Sequence, residues 1–345
     1  MAQDRPKAAE PWHLVEAPCD FCGSSEANVL LRGFDREHGL PGEFSVVVCC
    51  RCGLARTSPR PDLESLPHAY PPGYAPHGSR DQQDKAPGRL ARWALTNYRG
   101  YPLGPRAPAA VRALLWPAGR LVLGRRRLAM CVPFAGEGRL LDFGCGSGGF
   151  VARMAALGWK AEGLDSSEEA VRAGRRIGIN LQVGTLPGGP YAAESFDAVT
   201  MRHSLEHVPS PRATLDAARE ILRPGGWLVV AVPSLDSLQA RWFGPRWIGL
   251  DLPRHLTHFT GATLARHVAA AGLEVKALRR MRLPGIMRKS FARVAEETGS
   301  RAARWLARSR FATGLLSLVC LAAGQAAEVL CLAARPCCQV EQENR

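Results

Sequence analysis

The chain has 345 residues, 46% of them hydrophobic and 22% charged, which excludes a mainly disordered polypeptide and suits two structural units or one large core with attachments. Its net charge is +14, and of the 45 basic residues only Lys7, Lys85, Lys160, Lys276 and Lys289 are lysine. A surplus of that size invites a nucleic acid or an anionic surface as partner until it is located along the chain.

No apolar run precedes Pro18, so a secretory signal is not expected. Five of the eleven cysteines lie between Cys19 and Cys52. An odd count without an export signal argues against a disulfide framework and for metal binding in a reducing compartment, so a cytoplasmic protein is expected. Cys19-Asp20-Phe21-Cys22-Gly23 and Cys49-Cys50-Arg51-Cys52-Gly53 are two C-x2-C-Gly knuckles, 26 residues apart. Each can offer two thiolates from one tight turn, and the glycine lets the backbone amides point at the sulfurs. Cys19, Cys22, Cys49 and Cys52 are therefore predicted to hold a structural Zn2+ in a ribbon whose strands are 29–31 and 44–48. Cys50 competes with Cys49 for the third position, and a redox pair or unrelated reduced cysteines are the alternatives. Four thiolates leave no open position, so the ribbon is not itself a catalytic centre.

From Arg139 onward short apolar runs alternate with helical patterns, the signature of a parallel sheet covered on both faces. The predicted strands are 139–143, 159–164, 180–183, 196–201, 227–232 and 274–278, with helices notably at 211–222 and 261–271. The first strand runs into Asp142-Phe143-Gly144-Cys145-Gly146-Ser147-Gly148-Gly149, a turn that brings backbone close to a ligand at the positive end of a helix. Gly144, Gly146 and Gly149 also satisfy G-x-G-x-x-G, so a dinucleotide-binding reading stands beside any other. Asp165 ends the second strand, 23 residues after Asp142, where a carboxylate can accept ribose hydroxyls from either cofactor class. Asp142 favours a ligand with an amino-acid ammonium, which a nicotinamide nucleotide lacks.

Ser195-Phe196-Asp197-Ala198-Val199, then Met201-Arg202-His203-Ser204-Leu205-Glu206-His207-Val208, then Leu222-Arg223-Pro224-Gly225-Gly226-Trp227 follow in order. Together with the glycine turn they resemble the class I S-adenosylmethionine-dependent methyltransferases over about residues 138–275. Asp251-Leu252-Pro253-Arg254-His255-Leu256-Thr257-His258-Phe259 is similar to a bacterial subfamily with Leu-Glu-His-Val and Pro-Arg-His-Leu motifs, often behind an N-terminal zinc ribbon. Residues 328–335 look like the family's last, antiparallel strand. The resemblance implies an α/β fold: a Rossmann-like seven-stranded sheet with helices on both faces, plus the small ribbon. It implies S-adenosyl-L-methionine at Asp142, Gly144, Gly146, Gly148, Asp165, Ser166, Thr185 and His203. One departure is Gly184-Thr185 where the family often has Gly-Asp, which shifts adenine recognition toward backbone amides near Thr185 and Leu186.

The resemblance also places the reactive methyl near His203. His203 and His255 are the candidate catalytic residues, since a histidine can take a proton near neutral pH. Glu206 and His207 fall on the face next to His203 and read first as a fold-stabilising pair; His258 reads as structural. Arg254 stands where related sugar C-methyltransferases carry a Glu, so His255 is expected to lack an orienting carboxylate, and Arg254 itself suits an anionic acceptor.

The charge is local. Residues 80–130 carry net +9 and residues 279–310 net +8, so the remainder is slightly acidic. Arg301, Arg304 and Arg308 recur at helical spacing before the apolar run 311–334, which Gln325 and Glu328 interrupt too early for a spanning helix. Peripheral membrane association through 299–323 is the corresponding expectation. The resulting division is a zinc ribbon over 1–60, a basic helical connector over 61–137, the cofactor-binding core over 138–280, a basic and apolar helical insertion over 281–325, the core's last strand over 326–336 and a tail over 337–345. The expected acceptor is a small molecule, a glycan or a lipid-linked compound, anionic in character, methylated on O, C or N. The alternative, a nucleic-acid-binding or RNA-modifying protein using ribbon and arginines, is disfavoured because the ribbon is not basic and the basic segments lack interleaved aromatics; no nucleic-acid partner is expected.

Overall fold

A strand buried on both faces belongs inside a covered parallel sheet, and β9 (Phe196–Arg202) is buried along six of its seven residues. In the computed structural model, which describes residues 12–71, 87–124, 128 and 130–337, β9 lies between β6 (Arg139–Phe143) and β10 (Leu222–Pro233), parallel to both. On the far side of β6 come β7 (Lys160–Asp165) and β8 (Leu181–Val183). Beyond β10 lie β13 (Glu328–Ala334) and then β12 (Glu274–Met281), and β13 runs antiparallel to both its neighbours. This is the seven-stranded sheet expected from the sequence. Parts of the first basic segment (80–86, 125–127 and 129) and the tail beyond residue 337 lie outside the described residues.

Side-chain alternation sorts the sheet into two apolar layers. Leu140, Ala198, Val229 and Ala231 pack toward Phe150 and Met154 of helix Gly149–Ala155 and toward helix Arg89–Arg99. Leu141, Val199 and Val230 pack on the other face against helices Pro211–Ile221 and Gly261–Ala270. Both of these helices have strong starts: the Ser210 hydroxyl accepts from Ala213 N with Pro211 in the first turn, and Thr260 forms a reciprocal box with Thr263.

The N-terminal strands β2 (Ala27–Phe34), β3 (Glu43–Cys49) and β4 (Ala55–Thr57) form an antiparallel ribbon. Its fourth strand comes from the far end of the chain. β11 (Thr257–His258), within the Pro-Arg-His segment, pairs with β4 through Thr257–Arg56 and His258–Ala55. Cys19, Cys49 and Leu54 belong to the same apolar cluster as Phe259 and Leu264, so the ribbon and the core share one interior. Three helices, Pro284–Thr298, Arg301–Arg308 and Arg310–Ala322, separate β12 from β13. Among the described residues no helix is long and apolar enough to cross a membrane.

Candidate active site

The turn after β6 is built for close approach. Gly144 has φ +69 and a Cβ there would lie 2.3 Å from Ser204 Cβ; Gly148 has φ +82 and would meet Ile179 and Leu181. Gly146 N donates to Asp165 Oδ2 at 2.7 Å, and Ser167 N to Asp165 Oδ1 at 2.9 Å, so the carboxylate ending β7 is anchored at the edge of the turn. Asp142 is buried and accepts from Thr200 Oγ1 at 2.6 Å. Burial raises its carboxyl to about 6, with the Arg202 guanidinium and the Thr200 hydroxyl pulling the other way. Arg202 itself lies 3.9 Å above the Phe150 ring. A cation and an anion thus occur together at the ends of β6 and β9. Ser166 and Thr185, also expected at this site, are exposed on the loops after β7 and β8.

His203 follows β9 with φ +54, a conformation that costs a non-glycine residue energy and that its surroundings must impose. Its N–H donates to Ala231 O at 2.8 Å. The ring spans two carboxylates, with Nε2 2.8 Å from Glu328 Oε1 and Nδ1 3.4 Å from Glu206 Oε1. Burial disfavours its charge, but the two carboxylates outweigh burial and hold the imidazole up to about 9. An imidazolium has no lone pair, so in this arrangement His203 is a charge and a donor rather than the base considered for it above. Glu328 carries no sequence signal of a site residue: it is a lone acid in an apolar run, fully buried at the start of β13.

His255 differs in its charge and its partners. It is buried, and its Nδ1 lies 3.0 Å from Gly249 O, which requires a proton on Nδ1 and leaves the lone pair on Nε2. Nε2 is 3.9 Å from Glu206 Oε1. Burial, then the neighbouring His207, pushes its pKa well below the usual histidine range, so the ring is neutral. Glu206 supplies the carboxylate that the Arg254 substitution was expected to remove. The crevice around these groups is lined by Glu206, Leu235, Trp247, Gly249, His255 and His258. The ribbon reaches into it: Thr57 Oγ1 donates to His255 O at 2.7 Å and contacts His258 Nε2 at 3.0 Å.

Arg254 is not available to an acceptor anion, a second correction. It is fully buried and forms two hydrogen bonds to Asp35 at 3.0 and 2.7 Å and two to Asp251 at 3.0 and 2.7 Å, and donates to Ala69 O at 3.0 Å. His207 Nδ1 lies 3.1 Å from Tyr70 OH and 3.2 Å from Arg254 O, which ties the Leu-Glu-His-Val turn to the same structure.

The sulfurs of Cys19, Cys22, Cys49 and Cys52 all lie within 4.8 Å of one another, with 3.3 Å between Cys19 and Cys52 and 3.5 Å between Cys22 and Cys49. Four thiolates around one zinc at about 2.3 Å form a tetrahedron with edges of about 3.8 Å, so the donor set fits that ion. Cys50 is exposed and outside the cluster, which resolves the competition in favour of Cys49. The four thiols share their protons: against burial, the N–H groups of Cys52 and Arg51 bring the Cys49 thiol down, whereas burial pushes those of Cys19 and Cys52 up, so a metal held there would displace protons.

A family model described as a methyltransferase domain matches residues 118–278. A ubiquinone biosynthesis O-methyltransferase of Thiobacillus denitrificans is 33% identical over 159 residues, covering 42% of this chain and 68% of that protein. Its counterpart from Burkholderia thailandensis is 30% identical over 150 residues, covering 40% and 65%. Among solved structures, an S-adenosylmethionine-dependent methyltransferase from Mesorhizobium loti aligns with a TM-score of 0.44 and 20% identity over 64% of this chain and 97% of that one.

Proposed function

The chain belongs to the class I S-adenosylmethionine-dependent methyltransferases, and from that premise we propose that it methylates a hydroxyl oxygen of a small molecule, with His255 as the base. The observation that carries this reading is the neutral, tautomer-fixed His255, which lines a crevice with Nε2 3.9 Å from the buried Glu206 carboxylate. The curated relatives, of which the chain spans about two thirds, are named as O-methyltransferases, and that supports oxygen as the acceptor atom.

S-adenosylmethionine supplies an electrophilic methyl group when bound. The fixed residues then have two tasks. Asp142, Gly144, Gly146, Gly148, Asp165, Ser166, Thr185 and His203 would hold the cofactor, and Arg202 beside Asp142 adds the cation that a zwitterionic amino-acid group calls for. His255 Nε2 would take the proton of the acceptor hydroxyl, Glu206 would stabilise the resulting imidazolium, and His203 would keep Glu206 in place. Cys19, Cys22, Cys49 and Cys52 would hold a structural zinc that contributes to folding and touches no reacting atom.

His255→Ala is expected to lower turnover by about 100-fold or more while S-adenosylhomocysteine affinity, measured by calorimetry, stays near wild type. Unchanged turnover of an acceptor found by screening with methyl-labelled cofactor would remove His255 from the reaction.

A further inference from the structure

Helix Arg310–Ala322 is turned inside out. Its fully buried positions are small or polar, Thr313, Ser317 and Cys320, with Leu316 half-buried beside them, whereas Phe311, Leu315, Leu318 and Val319 face outward, Phe311 at 82% exposure. The inward hydroxyls need no solvent, because Thr313 donates to Ser309 O and Ser317 to Gly314 O, both at 2.8 Å. The outward residues, spaced i, i+4, i+7 and i+8, form one continuous apolar stripe. Helix Arg301–Arg308, immediately before it, buries only Ala303 and exposes Trp305 at 62%. Arg301, Arg304, Arg308 and Arg310 are exposed, and no acidic residue occurs between 301 and 322.

We propose that these two helices form a docking surface for an anionic phospholipid bilayer, lying in the headgroup layer with the stripe turned to the acyl chains. At 13 residues the apolar helix is far too short to span. Charge decides between a bilayer and a second copy of the chain. Self-association across a twofold axis would bring one set of four arginines toward another with no acidic partner in the segment, whereas an acidic lipid surface complements them, and an exposed tryptophan suits the interface. This inference is independent of the acceptor chemistry proposed above.

The full chain is sedimented with vesicles that are roughly one part in three phosphatidylglycerol in phosphatidylcholine, and with vesicles of phosphatidylcholine alone. Binding is expected to the first and to fall steeply as salt is raised above about 0.1 M. The combined variant Phe311→Ser, Leu315→Ser, Leu318→Ser changes only exposed or outward positions and is expected to lose binding at least about 10-fold, with S-adenosylhomocysteine affinity retained. Replacing Arg301, Arg304 and Arg308 by Gln is expected to cost about 5-fold per residue. No binding to either vesicle would overturn the proposal, as would binding that is equal on both vesicles and indifferent to the arginines. A concentration-dependent dimer that the serine variant abolishes, without vesicle binding, would assign the stripe to a second copy instead.

Discussion

His203 and His255 sit within reach of the same Glu206 carboxylate yet hold opposite protonation states, because a second carboxylate outweighs burial at His203, whereas at His255 burial and then the neighbouring His207 outweigh Glu206 and the Gly249 carbonyl. For His203 the folded value of about 9 lies above the ordinary value of about 6.5. Its contribution to stability is therefore complete below about pH 6.5 and is lost as pH rises through about 9. Melting temperature followed from about pH 7 to about pH 10 is expected to fall less in Glu328→Gln than in the wild type, since that variant removes one of the two carboxylates holding the proton. Identical slopes would show that Glu328 does not set the charge of His203. For His255 the shift is downward, so the acid limb of kcat/KM is expected well below pH 6.5, and a limb at or above that value would identify another base. At this scale the geometry of the candidate site was legible wherever it depends on local spacing: the glycine turn, Asp142 and Asp165, and the cysteine knuckles. It was not legible for Glu328, which meets His203 only because β13 is inserted beside β10.

Among elements, β11 shows why a two-residue strand escapes sequence reading. Two residues carry no periodicity, so Thr257–His258 read only as part of a motif, whereas pairing with β4 makes them the edge of the ribbon. A zinc ion held by the four cysteines would act beyond the ribbon. Without it β3 and β4, which flank the second knuckle, would loosen, and β4 carries the Thr57 hydroxyl that holds the carbonyl of His255. Treatment with a strong chelator, or Cys49→Ser, is expected to lower the melting temperature and to reduce turnover more than cofactor affinity, because the glycine turn lies on other elements. Full turnover in zinc-free protein, checked by metal analysis, would separate the ribbon from the site.

For the whole molecule, the composition located the charge in two attachments but did not show what joins the ribbon to the core. A buried ion pair does so. Asp35, just after β2, accepts both hydrogen bonds from the fully buried Arg254, 219 residues away, and also receives the N–H groups of Glu37 and His38. Burial would raise the Asp35 carboxyl, but the Arg254 guanidinium holds it below the usual range. No sequence pattern announces a partner at that separation; Arg254 looked like a free anion site because its neighbours in the chain gave no reason to bury it. Removing Asp35 would leave the Arg254 guanidinium in a dry interior with Asp251 as its remaining carboxylate, at a cost toward the low end of the roughly 3–5 kcal/mol of a broken buried pair. Asp35→Ala is therefore expected to lower the thermal transition of the chain, whereas the triple variant Asp35→Ala, Arg254→Met, Asp251→Asn should recover part of that loss because no charge of the cluster is then left without a partner. If calorimetry of Asp35→Ala instead shows an early ribbon transition and an unshifted core transition, the pair does not couple the two units, and Arg254 owes its burial to the Asp251 turn alone.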